Sequence, residues 1–174
     1  MSEHCKVDRY GWAQVLLHWV SALVIIWVLI SGFYVAYAEV QAPTRAWVGW
    51  VNVSLTTVYI PVFMLRCLVR VLKPAPPSID RSRLGRVAAS IAHHALYGLT
   101  ALVLLSGVLM MDRAIDVFGR WQIPALLADV TWQGRWFTLH IASCVALASV
   151  VLMHVAAVCK HQLSGQRILR RMWL

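Results

Sequence analysis

The sequence predicts an all-α fold, an integral membrane four-helix bundle with N and C termini cytoplasmic, and three observations predict it. Of 174 residues, 60% are hydrophobic and only 13% are charged, far from the balance of a soluble domain. Four uncharged or nearly uncharged stretches, at about residues 12–37, 46–65, 87–111 and 136–159, each approach the ~20 residues needed to cross the hydrocarbon core. Of the 16 Lys and Arg, twelve flank these stretches on one side and only Arg45, Arg113, Arg120 and Arg135 on the other, and the positive-inside rule places the richer side in the cytoplasm.

Taken in order, the first stretch is too long for a cleavable leader and lacks a small-residue cleavage site, so it is expected to remain as helix 1. The second ends in Arg66, Arg70 and Lys73 and runs into KPAPPSIDRSR, a proline-rich connection expected to be extended and stiff. The third carries the adjacent His93 and His94. The fourth, FTLHIASCVALASVVLMHVAA, carries His140 and His154 with no charged residue between them. On the outer side, residues 38–45 form a short loop and residues 112–135 a long one. The long loop contains VFGRWQIPALLAD, whose apolar residues and Trp121 suggest a segment lying at the outer membrane surface. Trp12, Trp47, Trp50, Trp132 and Trp136 fall near span ends, where an aromatic belt anchors a bundle. The whole chain, 1–174, reads as one domain.

The net charge of +9 arises from the asymmetry of the flanks, with Lys6, Arg9, Arg81, Arg83, Arg86, Lys160, Arg167, Arg170 and Arg171 adding to the basic run after helix 2. No basic patch is joined to a base-reading element, so no nucleic-acid partner is expected. Cys5, Cys67, Cys144 and Cys159 fall in spans or on the cytoplasmic side without paired spacing, and they read as reduced packing residues.

The chemistry is carried by one interval. His140 and His154 are fourteen residues apart, so both rings leave one helix face, separated by roughly 21 Å along the axis. The same interval joins His18 to Gly32, Asn52 to Arg66 and His93 to Gly107 in the other helices. Because helices 1 and 3 run outward and 2 and 4 inward, these positions sort into two depths. The inner level holds His18, Arg66, His93 and His154; the outer level holds Gly32, Asn52, Gly107 and His140. Ionisable groups at bilayer depth are costly and point to function. Neutral imidazoles bind iron from opposite faces, glycines admit a flat macrocycle, and arginine pairs with propionates. That set suits haem, with His18 matching the depth of His154. Zinc would need ligands converging on one point. Gly32 and Gly107 equally suit close helix packing, Arg66 equally suits snorkelling, and His93 and His94 point in different directions, so at most one faces the bundle axis.

With these residues in hand, the chain resembles the prokaryotic cytochrome b561 family, four-helix proteins of the bacterial inner membrane that bind haem b. The resemblance runs through RYGWAQVLLHWVSALV in helix 1, R-x-L-x-R-x-x-x-P-x-P-P after helix 2, IAHHALYGLTALVLLSG in helix 3 and H-x13-H followed by KH in helix 4. It implies a cytoplasmic-side haem held by His18 and His154, and an outer haem held by His140 and a helix 2 histidine. It also implies electron transfer between membrane quinone and a second donor or acceptor, superoxide in at least one member. The helix 2 position is Asn52 here, and an amide is a poor iron ligand. The outer haem is therefore expected to be absent, five-coordinate on His140, or ligated by another group such as Met110 or Met111. His161, seven residues beyond His154, is placed to relay protons near the inner surface.

The function expected is that of a b-type cytochrome passing electrons between quinone and a partner, with an altered or lost outer haem site. One alternative is a haem-bearing membrane anchor for a larger dehydrogenase, whose soluble subunit would be the redox partner. A haem-free transporter or scaffold is the other, which the lack of an inverted repeat and of an intramembrane carboxylate disfavours. Small-residue helix faces permit a homodimer.

Overall fold

The apolar stretches become four long helices. The structure, a computed structural model, describes residues 9–73, 76, 82–165 and 168–173; Cys5, Lys6, Arg81, Arg167 and most of the proline-rich connection lie outside the described residues. The helices are α1 (Trp12–Tyr37), α2 (Ala42–Leu72), α3 (Arg83–Leu109) and α4 (Val130–Leu163), and each is long and apolar enough to cross a bilayer. Three of them extend past the apolar stretches that predict them. At 1.5 Å per residue, α4 is roughly 51 Å long, so it continues beyond the hydrocarbon layer on both sides. The backbone has no reason to break its hydrogen bonds at the interface, whereas the apolar run must end there.

The ends are fixed by identifiable groups. The Asp129 carboxylate accepts from the backbone N–H of Thr131 and Trp132 at 2.8 and 3.1 Å, capping α4. The Ser82 hydroxyl accepts from Gly85 N–H at 3.0 Å and caps α3. Pro61 lies inside α2; it denies the Thr57 carbonyl its helical donor, a defect that membrane helices accommodate with Ser and Thr side chains nearby. Here the Thr57 hydroxyl donates to the Val53 carbonyl at 2.8 Å.

Packing divides the bundle into two helix pairs. α1 lies along α2 and α3 along α4, while α2 touches α3 over a much shorter stretch. The pairs meet in a central apolar layer. Leu29, Val103 and Leu147 form one cluster across α1, α3 and α4, and Tyr59, Phe63 and Leu104 form a second across α2 and α3. Leu147 is 2% exposed and lies seven residues from both His140 and His154. The core of the bundle is therefore the layer midway between the two histidine depths. Elsewhere the helices keep much open apolar surface, which suits lipid outside.

At one end, the start of α1, the end of α2 and the C-terminus are tied together. Gln14 Nε2 donates to the Lys73 carbonyl at 3.0 Å, and Trp19 Nε1 donates to the Met172 carbonyl of a 3-10 helix (Ile168–Met172) at 2.9 Å. The opposite end holds a feature the sequence reading lacked. The segment expected to lie at the membrane surface forms a two-stranded antiparallel hairpin, β1 (Ile115–Val117) with β2 (Trp121–Ile123). Its turn needs positive φ at two successive residues, Phe118 at 49° and Gly119 at 68°. The first is unfavourable for a bulky residue. It is held by the Asp116 carboxylate, which accepts from Gly119 N–H at 3.0 Å, and by the Phe118 ring standing edge-on to Trp50 at 5.6 Å.

Candidate haem sites

At the inner level each helix pair contributes a cluster. From α1 and α2, an Arg66 Nη2 donates to His18 Nδ1 at 3.3 Å, and its Nε donates to the Tyr97 hydroxyl of α3 at 3.1 Å. The guanidinium also lies over the Tyr97 ring, 5.1 Å from its centre. From α3 and α4, the His93 and His154 rings meet edge to face, 5.7 Å between centres. The clusters are close enough for His18 to interact electrostatically with Arg66, His154 and His93. Four residues placed at one depth by the fourteen-residue interval thus converge. His94 turns away, its Nδ1 donating to its own helix at the Ser90 carbonyl, 2.7 Å. His161 sits half-buried in the last turn of α4.

At the outer level the same division holds with different chemistry. His140 leans from α4 onto α3. Its Nδ1 lies 3.1 Å from the Val103 carbonyl and 3.1 Å from the Ser106 hydroxyl. A carbonyl only accepts, so the proton sits on Nδ1 and the lone pair on Nε2. Nε2 faces the Cys144 thiol at 3.5 Å, a weak donor. The ring rests against Gly107, where a β-carbon would stand 3.2 Å from His140 Cε1; glycine here makes room for the imidazole. Gly32 differs, since a β-carbon there meets nothing within 4 Å, and helix packing does not require it. On the α1–α2 side, the Asn52 amide is hydrogen-bonded to the Ser31 hydroxyl at 2.9 Å. Met110 and Met111 line a cavity of about 700 Å³ at the outer end, together with Gly49, Val53, Gln133 and Phe137.

These donors fit haem. Imidazoles stand at two depths, one with its proton fixed by a carbonyl in the manner of metal-bound histidines, and each depth draws its side chains from both helix pairs. Sequence reasoning missed Tyr97, Ser106, Val103 and Cys144. Tyr97 was open to it, being four residues beyond His93 and so on the same face; the Val103 carbonyl was not, because a backbone group leaves no mark on composition.

A bundle of four spanning helices with stacked imidazole levels defines a multi-pass membrane haem protein. The chain belongs to the prokaryotic cytochrome b561 family, whose model matches residues 9–174. It is also similar to cytochrome b561 homolog 2 of Escherichia coli (strain K12), at 28% identity over 166 aligned positions that take in 88% of this chain and 85% of that protein. It is a membrane b-type cytochrome of electron transfer, and family membership displaces the haem-free transporter or scaffold.

Proposed function

We propose that this cytochrome passes electrons between membrane quinone and a second donor or acceptor through a haem b held by His18 and His154, in a bacterial inner membrane with both termini cytoplasmic. The observation that carries this is the convergence of His18 and Arg66 from one helix pair with His154 and His93 from the other. A haem b at this level supplies a one-electron couple. His18 and His154 would hold its iron. His93, against the His154 ring, holds its orientation. Arg66 would pair with the propionates once it releases His18, and it must release it. As a donor-only group it occupies the Nδ1 lone pair, which puts the proton on Nε2, whereas binding iron through Nε2 needs the proton on Nδ1. The Leu29, Val103 and Leu147 layer excludes water between the levels. His161 and the basic inner end handle the protons of quinone chemistry, and the partner is either a small donor such as superoxide or a soluble redox subunit.

The test is reduction by a quinol in detergent, followed by absorption spectroscopy. The wild-type haem should reduce, and His18→Ala and His154→Ala should each lose the low-spin haem and the quinol-driven reduction with it. A wild-type haem that stays oxidised under excess quinol contradicts the quinone assignment, and a low-spin spectrum surviving in either variant contradicts the ligands.

A further inference from the structure

We infer that the outer level holds a second haem that is five-coordinate on His140 and binds a neutral diatomic ligand on the open face beneath Asn52 and Ser31. The inference rests on the reading of the inner level as a bis-histidine haem, because it assigns the remaining half of the bundle.

His140 is built as an iron ligand. The Val103 carbonyl and Ser106 hydroxyl, both 3.1 Å from Nδ1, hold the ring in the tautomer that presents Nε2. Gly107 seats the ring, since its β-carbon would stand only 3.2 Å from Cε1. A core histidine that merely satisfies itself needs neither a second partner at Nδ1 nor a Nε2 left to a thiol. Cys144 at 3.5 Å is displaced by a Lewis acid more readily than any stronger acceptor or donor would be. On the same helix as His140 and one turn away, it approaches from the same side and is no sixth ligand.

Among the described residues, no sixth ligand is supplied from the other face. Asn52 stands at this depth on α2, with its amide tied to Ser31. A neutral amide is a weak iron ligand, but it is a good hydrogen-bonding group for a ligand bound there, and such polarity decides what an open haem iron takes up. Met110 does not fill the position. It is the C-cap of the helix against which His140 leans, three residues beyond Gly107, and Met111 follows it, so both thioethers come from the His140 side. Gly32, beside Ser31, leaves the space next to α1 clear. Access is provided from the outer end, where the cavity of about 700 Å³ is lined by Val53, Met110 and Phe137. These stand one to three residues from Asn52, Gly107 and His140 respectively, directly above the level.

Carbon monoxide is the probe. Purified full-length protein should carry two haems per chain, and dithionite-reduced protein should give a CO difference spectrum equivalent to one of them. His140→Ala should lose that spectrum and one haem while the low-spin signal stays. Asn52→His should keep both haems, lose CO binding and gain a second low-spin signal, because the added imidazole closes the open face. Two low-spin haems without CO binding in the wild type would overturn the inference, as would a CO signal that vanishes in His154→Ala but persists in His140→Ala. One low-spin haem and no CO band, with His154→Ala haem-free, overturns it while leaving the inner assignment intact. A low-spin signal undiminished in His154→Ala defeats the inner assignment instead.

Discussion

Arg66 is the residue on which the inner site turns, because one guanidinium holds His18 and Tyr97 together at 3.3 and 3.1 Å. A fixed positive charge beside a haem favours the reduced form, which carries less positive charge. Arg66→Ala should therefore lower the midpoint potential of the low-spin haem, by on the order of tens of millivolts for a partly screened charge, as read by redox titration. Tyr97→Phe keeps the ring under the guanidinium but removes the hydroxyl acceptor, and should shift the potential less. The two glycines make a contrasting pair. Gly107→Leu should disturb His140 whether or not a cofactor is bound, because the ring already touches that position. Gly32→Leu meets no protein atom at its β-carbon, so it should leave thermal unfolding of haem-free protein unchanged while lowering haem retention at the outer level. Equal haem content in wild type and Gly32→Leu would show that no macrocycle uses that space.

Among the elements, α2 does the most, binding α1 along its length and clamping the hairpin. Trp50 Nε1 donates to the Asp116 carboxylate at 3.2 Å, the Ser54 hydroxyl donates to the Asp116 carbonyl at 3.0 Å, and Phe118 N–H donates to Ser54 Oγ at 3.1 Å. Positions 50 and 54 share a helix face, and Asn52 between them points away from it, toward Ser31. The hairpin therefore covers the outer end without filling the Asn52 position. Asp116→Ala should loosen it, seen as faster protease cleavage near residues 118–120, with the low-spin haem unaffected. The apolar middle layer is tested by Leu147→Ala, which should cost about 2–5 kcal/mol if the gap does not close, measured by reversible unfolding in detergent. The helices were legible in the sequence because length and hydropathy alone make a span. The hairpin was not: its three-residue strands are too short for a period to show, its turn places a phenylalanine at positive φ, and its partner is a helix face far away in the chain.

At the scale of the molecule, the sequence interval of fourteen residues is converted into two depths of imidazoles separated by an apolar layer, with each depth shared between two helix pairs. Depth was legible because helical rise is constant, which puts His18, Arg66, His93 and His154 at one level. Which of them touch was not, since pairing depends on how the helices are arranged around the axis. Thus His93 was separated from His94 only by the contact with the His154 ring, and Gly107 from Gly32 only by what lies beside each. On the function proposed above, the inner iron would be held across the two pairs, by His18 and His154, with His93 as the neighbour that orients one of them. Electron paramagnetic resonance of the oxidised protein tests it most directly, comparing wild type, His93→Ala and His154→Ala at equal protein. His93→Ala should keep the inner low-spin signal with altered anisotropy, as the His154 ring turns, and His154→Ala should lose it. Loss in His93→Ala with retention in His154→Ala would contradict the account and move the ligand from α4 to α3.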